Sequence, residues 1–387
     1  MPTRRPHTKT RHGCATCKTR KVRCDEEKPI CRNCTRGNRE CLYPNQLLAL
    51  ATSLSSDSPD GQRVFPLRDM ELLHHYTSTV YATISDQREH AFIWQITVPS
   101  LAFQYPFLLH GLLALATLHR RQKAVADCRE PLMNLARYHQ QHALKLYIPL
   151  LQSINDQNCH ALFAFSVIIA IICFGMLSDD AHDAPPLIAR VVDAFDALTG
   201  AAVVAVEALP WLEAGPMAAV LDKLEPPRTD LEGIDPSMRV ALEGLLECVD
   251  RVCEDGGHSK AGLDREARRE TYRRSIYAIA TIISPEVYRN RPLSVVVSWP
   301  IMAQPSYTAL LRHRDPLAVV ILGHYGVALH KIDKVLWALE GLGQRLTEKV
   351  ASEVGDEWNS YLTWARKRVA EAATPASHIT PGSASSS

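Results

Sequence analysis

Residues 14–41 read CATCKTRKVRCDEEKPICRNCTRGNREC, and the six cysteines in this stretch follow the spacing C-x2-C-x6-C-x6-C-x2-C-x6-C. The pattern is a repeat: Cys14, Cys17 and Cys24 make one C-x2-C-x6-C half, and Cys31, Cys34 and Cys41 make the other. It predicts two equivalent short loop-and-helix units related by an approximate two-fold axis. Two separate tetrahedral zinc sites need eight ligands, so six thiolates suffice only if two sulfurs are shared. Cys14 and Cys31 hold equivalent positions and are the natural bridging pair. Cys17 and Cys24 then complete one site, and Cys34 and Cys41 the other.

About 30 residues of mostly polar chain cannot bury enough apolar surface to offset their conformational entropy. Structural zinc contributes roughly 10 to 16 kcal/mol in small metal-folded peptides and supplies the difference. A disulfide-bonded secreted knot is the competing reading of six closely spaced cysteines. The first 13 residues are basic and polar with no apolar run. No secretory leader is therefore expected, and thiols in a reducing compartment favour metal.

Residues 1–41 hold twelve of the 43 Lys and Arg but only four of the 42 acidic residues, Asp25, Glu26, Glu27 and Glu40. The total charge of +1 thus hides a basic head on a mildly acidic body. A head of this kind is an electrostatic footprint for nucleic acid. Its binding should fall steeply with salt as phosphate counterions are released.

The cysteine spacing, the basic run Lys18, Arg20, Lys21, Arg23 and the proline at position 29 resemble the fungal Zn2Cys6 binuclear cluster of transcription factors, over roughly residues 12–44. The resemblance implies two bound Zn2+ ions. It also implies a short helix after the second cysteine that enters the major groove of double-stranded DNA, where Lys or Arg reads a CGG-type triplet. Carried onto this chain, Arg20 and Lys21 are the expected base readers, since both donate to guanine O6 and N7. Lys18, Arg23, Arg32 and Arg36 are expected to contact phosphates and fix register. Many members of the family pair through a coiled coil just after the cluster. Residues 45–66 offer only Leu47, Leu50 and Leu54 before Ser, Asp, Pro and Gly take over, short of the roughly three or four heptads a zipper needs. They read as flexible linker, and a homodimer, if formed, would use the large domain.

From 67 to 370 the composition becomes that of a large all-α domain, following a cluster domain at 10–44. Apolar periodicity predicts helices at 68–85, 107–121, 132–154 with a kink near Pro149, 161–177, 186–208, 237–253, 264–284, 315–340 and 343–370. ALFAFSVIIAIICFGML (161–177) is apolar on every side. It falls short of the roughly 20 residues needed to cross a bilayer, so a buried central helix is expected and no membrane span. LSVVVSW (293–299) has the β-branched character of a strand but no evident partner strands. His139 and His142 stand at i, i+3, yet nothing at matching spacing converges on them, and a solvated helix face is expected. Cys128, Cys159, Cys173, Cys248 and Cys253 read as buried small hydrophobes. REARRETYRR (265–274) reads as a solvated helix with i, i+4 ion pairs, and the Ser- and Pro-rich tail, 371–387, as disordered.

This body also carries a resemblance. MELLHHYTSTVYATIS, WQITVPSLAFQYPFLLHGLLALATLH and YHQQHALKLYIPLL, with the later SWPI and PLAVVILGHYGVAL, are similar to the regulatory domain of fungal regulators related to the sterol uptake control proteins. The resemblance implies a helical domain able to hold a sterol or other apolar ligand. No P-loop, Rossmann fingerprint, nucleophile elbow or HExxH speaks for an enzyme. The combined expectation is a nuclear, DNA-binding transcription factor of RNA polymerase II genes. Its helical domain would engage the transcription machinery or co-regulators. Two roles stay open: regulator of a biosynthetic gene cluster, or sterol-responsive regulator.

Overall fold

The computed structural model describes residues 13–27, 31–37, 39, 41, 66–85, 87–178, 185–221, 226–255, 260–284 and 292–371. The expected linker, apart from Pro66, and the expected tail, apart from Glu371, lie outside them, as does position 29. The chain forms two compact units, Met1–Ala82 with Ala91–Asp179, and Thr83–His90 with Asp180–Ser387. Among the described residues the regular elements are helical and no strand occurs.

In the cysteine-rich head, α1 (Ala15–Thr19) and α2 (Arg32–Arg36) each open directly after the first cysteine of their half. Cys14 and Cys31 are the N-cap residues, with nearly identical φ, ψ of −61°, 153° and −68°, 149°. The ends match as well. Val22 N–H donates to the Cys17 carbonyl at 3.1 Å, and Arg39 N–H to that of Cys34 at 3.0 Å, the same six-residue closure that ends many helices. The two-fold repeat of the sequence is a repeat of the backbone.

The rest of the first unit is built on α3 (Leu67–Ser78), α4 (Pro106–Gln122), α5 (Ala126–Tyr147) and α6 (Cys159–Met176). Pro106 occupies the first turn of α4, where its missing N–H costs nothing. His119, Arg120 and Arg121 fill the last turn, at the negative end of the helix dipole. Helix α4 is the hub, packing on α3, α5 and α6. At Gly111 a Cβ would lie 2.8 Å from the Phe165 ring, so glycine sets the close α4–α6 approach. Phe107, Tyr147 and Phe165 then meet with ring centroids 4.6–5.6 Å apart. Helix α6 is long and apolar enough to cross a membrane by length and composition, and 78% of its 18-residue window is buried inside the protein. Two expected helices end early. After α3 the chain tightens into a 3-10 turn at Val80–Thr83, and after α5 into one at Ile148–Ser153, where Pro149 cannot donate to the preceding turn.

The second unit contains α7 (Leu187–Glu207), α8 (Pro236–Asp255), α9 (Arg265–Ile283), α10 (Pro292–Val297), α11 (Trp299–Arg312), α12 (Pro316–Lys331), α13 (Leu342–Glu353) and α14 (Thr363–Glu371). Asp264 and Asp315 cap α9 and α12, accepting from Ala267 N at 2.8 Å and Ala318 N at 3.1 Å. Every residue of α12 from Leu317 to Leu329 is buried. Helix α13 meets it backbone to backbone, since a Cβ on Gly343 would stand 2.4 Å from the Gly326 carbonyl oxygen. The β-branched run 293–299 is helical, not a strand: with no neighbouring strand to pair with, its side chains pack as α10 and the start of α11, and Tyr325 Oη donates to the Val296 carbonyl at 3.1 Å. The arginines of 265–274 differ from expectation too. Arg268 is buried and donates to the Val252 carbonyl at 2.7 Å, near the C-terminus of α8, while Arg269 and Arg273 converge on Asp250. Arg274 donates to Met302 O at 2.7 Å, two residues before the kink of α11 at Gln304.

Histidines join the helices of the first unit. His75 Nε2 lies 3.0 Å from His119 Nδ1, tying α3 to α4, and His110 Nδ1 lies 2.9 Å from His139 Nδ1, tying α4 to α5. His139 is 1% exposed, which overturns the solvated-face expectation: a partner 29 residues away covers it. One ring in each pair must donate and the other accept, so at most one ring of a pair can carry a charge. Burial, followed by neighbouring positive charge, holds His139 down at about 3 and His75 and His119 at about 4. The facing groups are Arg68, Asp69 and His74 from α3, Arg120 and Lys123 at the end of α4, and His142 from α5. A base with a depressed folded pKa gives stability that is complete above its ordinary value near 6.5 and is lost as pH falls toward the folded value. Hydrogen-exchange protection of α3–α5, corrected for intrinsic rates, should therefore drop between pH 7.5 and 5.0. His139 alone accounts for on the order of 1 kcal/mol at pH 5.5, and His139→Asn should flatten the drop; protection independent of pH would contradict the assignment.

Candidate metal centre and nucleic-acid interface

Folding of the two halves brings the cysteine sulfurs into two overlapping groups, Cys14, Cys17, Cys24, Cys31 and Cys14, Cys31, Cys34, Cys41, each with its sulfurs within 4.8 Å of one another. Cys14 and Cys31 belong to both. The Sγ separations are 3.8 Å for Cys14–Cys31, 3.7 Å for Cys14–Cys34 and 3.6 Å for Cys17–Cys31. A tetrahedron of sulfurs about 2.3 Å from zinc has edges of about 3.8 Å. A disulfide would need about 2.05 Å, and none of the six is in one. The donor set thus fits zinc in each group, and four sulfurs leave no open position for a substrate, the mark of a structural rather than a catalytic centre.

The backbone supports the sulfurs symmetrically. Cys14 N–H donates to Cys24 Sγ at 3.4 Å and Cys31 N–H to Cys41 Sγ at 3.3 Å, the same ten-residue reach in each half. Cys14, Cys17, Cys31 and Cys34 are fully buried. That burial, together with the adjoining thiols, pushes Cys17 and Cys41 well up and Cys34 to about 11. Burial acts on Cys31 in the same sense, but hydrogen bonds from the Cys34 backbone and the Cys34, Cys17 and Cys14 thiols outweigh it and bring this group to about 7. Six crowded thiols cannot all ionise unaided; cations among them supply the missing charge, and metal uptake must release protons.

Lys18, Arg20, Lys21, Arg23, Arg32 and Arg36 are all exposed. The α1 helix contains the second cysteine rather than following it. Lys18 is therefore in its last turn, Arg20 is its C-cap, and Lys21 lies just beyond with φ 54°. Arg23 adjoins the ligand candidate Cys24. Arg32 Nε donates to Glu27 Oε2 at 2.7 Å, an exposed pair weak enough to exchange for a phosphate. Two polar contacts between the halves escaped the sequence reading. Asp25 accepts the Arg32 N–H at 3.1 and 3.2 Å, and Asn33 Nδ2 donates to the Arg23 carbonyl at 2.6 Å. Neither follows from spacing, because each joins residues seven to ten apart.

Two four-sulfur groups that share Cys14 and Cys31, beside an exposed basic segment, form a candidate metal centre suited to a nucleic-acid-binding head. Residues 12–49 match the fungal Zn(2)-Cys(6) binuclear cluster domain, a domain that binds two zinc ions, and residues 71–183 match the fungal specific transcription factor domain. Over these two stretches the chain is similar to the fungal Zn(2)-Cys(6) transcription factors, and both matches point to a non-enzymatic regulator. A Zn(2)-C6 fungal-type transcription factor of Gibberella zeae is 24% identical, covering 94% of this chain and 86% of the relative. The Zn(2)-C6 fungal-type transcription factor afumD of Aspergillus fumigatus is 32% identical over 44% of this chain and 48% of its own length. Sterol uptake control protein 2 of Candida albicans is 26% identical over 81% of this chain. Against the last two, the chain spans less than half the relative's length.

Native mass spectrometry of the full chain should find two zinc ions. A strong chelator should make amides of residues 13–41 exchange at unprotected rates while α4, α6 and α12 keep their protection. Cluster amides that remain protected after chelation would show that metal is not what folds the head.

Proposed function

We propose that Cys14 and Cys31 bridge two zinc ions, with Cys17 and Cys24 completing one shell and Cys34 and Cys41 the other. The cluster holds Arg20 and Lys21 for reading CGG-type triplets in double-stranded DNA, while Lys18, Arg23, Arg32 and Arg36 grip phosphates. The observation that carries this reading is the sharing of Cys14 and Cys31 between two four-sulfur groups, directly under the exposed segment Lys18–Arg23. The protein then acts in the nucleus on RNA polymerase II genes, as a regulator of one biosynthetic gene cluster. Residues 67–370 serve as the regulatory domain that meets co-regulators, with 45–66 as linker, 371–387 as tail and α6 as a core helix rather than a membrane span. Any homodimer forms through the helical body.

A second reading has one observation in its favour, the similarity to Sterol uptake control protein 2 over 81% of the chain: a helical domain that binds sterol and gates the same DNA-binding head. A sterol mass retained by the purified full chain in native mass spectrometry favours it, and an apo mass favours the first.

The DNA assignment is tested on paired probes. Lys21→Ala should abolish the preference for a CGG probe over a scrambled one, a loss of about 1–3 kcal/mol of discrimination. Arg36→Ala should weaken both probes alike and lower the salt slope by about 1. Equal losses on both probes for Lys21→Ala would overturn its role as a reader.

A further inference from the structure

We infer that Asn33 is a positioning residue for DNA readout, its side-chain amide fixing the backbone of the base-reading segment; the inference rests on the DNA reading proposed above. The segment Arg20–Arg23 makes up the last four of the six residues between Cys17 and Cys24. At its start it is held by Lys21 N–H on the Lys18 carbonyl at 3.0 Å and Val22 N–H on the Cys17 carbonyl at 3.1 Å. Those two bonds set the left-handed conformation of Lys21, φ 54°, which a residue with a Cβ enters only when its surroundings demand it. The far end has different support. There the Arg23 carbonyl accepts from Asn33 Nδ2 at 2.6 Å, and Asn33 comes from the opposite half of the cluster.

Asn33 is well placed for this task. It sits inside α2, between Cys31 and Cys34, so its own backbone is tied to the cluster sulfurs on both sides. The start of α2 is seated against the same strand of chain by the Asp25 carboxylate, which receives the Arg32 N–H. Arg23 and Asp25 flank Cys24, so the two contacts grip the chain on either side of one sulfur. Arg20, Lys21 and Arg23 are exposed and have no packing to orient them, so their aim follows the backbone that carries them. An amide to one carbonyl of that backbone converts metal-held rigidity in the second half into a fixed pose of readers in the first.

Asn33 makes no contact that distinguishes bases, and its removal should act on discrimination rather than on bulk affinity. A neutral hydrogen bond of this type corresponds to roughly a three- to tenfold effect. Full-length Asn33→Ala and the near-isosteric Asn33→Asp, which keeps the shape but cannot donate, are titrated against the CGG and scrambled probes at fixed salt, with Lys21→Ala alongside and zinc counted by native mass spectrometry. The expected result is two zinc ions retained in both variants and a CGG-to-scrambled affinity ratio reduced about three- to tenfold. The added charge of Asn33→Asp weakens both probes equally and cancels in the ratio. An unchanged ratio in the Asn33 variants, with a collapsed one in Lys21→Ala, overturns the positioning role and leaves the DNA reading standing. Zinc lost from both Asn33 variants also overturns it, because the residue would then be structural. A ratio unmoved by Lys21→Ala overturns the reader assignment and the positioning role with it.

Discussion

Six sulfurs must do the work of eight, and that shortage shapes the head of this protein. Cys14 and Cys31 belong to both four-sulfur groups, and in the proposed cluster their sharing makes the two halves face each other across a common pair of atoms. From that constraint come the paired N-caps, the paired N–H to sulfur contacts and the matching helix closures. Only then does a basic segment acquire a defined pose. Among the described residues of 13–41 the buried cluster consists of cysteines, so the packed atoms and the candidate metal ligands are the same ones.

The helical body is stabilised on opposite terms. Its two units are built around helices apolar on nearly all faces, α6 in the first and α12 in the second. Close approach there depends on missing side chains, at Gly111 beneath Phe165 and at Gly326 against Gly343. Several polar groups inside the units meet specific partners. Arg274 donates to the Met302 carbonyl beside the α11 kink, Tyr272 donates to Asp315 at 2.7 Å, and the two histidine pairs join α3, α4 and α5.

The metal centre was legible because ligand spacing is a local property, and the repeat of C-x2-C-x6-C carries its own symmetry. Most helices were legible from apolar periodicity, and α9 and α12 begin one residue inside their expected starts, after the caps Asp264 and Asp315. What the chain concealed depends on distant partners. His139 looked solvated because His110, which buries it, lies a helix away. The 293–299 run looked like a strand because β-propensity records a preference for packed, half-buried surroundings, which a helical core supplies equally well. Arg268 looked like a surface cation, yet it ends on a carbonyl of α8. Asn33 lay inside the most readable segment and still gave no signal, since its partner is a backbone atom in the other half.

Zinc K-edge absorption spectroscopy on the purified full chain probes the shared-sulfur cluster most directly. Each metal should show a first shell of four sulfurs at about 2.3 Å with no nitrogen or oxygen, together with the metal-to-metal scattering that bridging through Cys14 and Cys31 requires. A shell containing lighter donors, or sulfur shells without metal-to-metal scattering, would mean that the two ions do not share their ligands and that the head is organised in some other way.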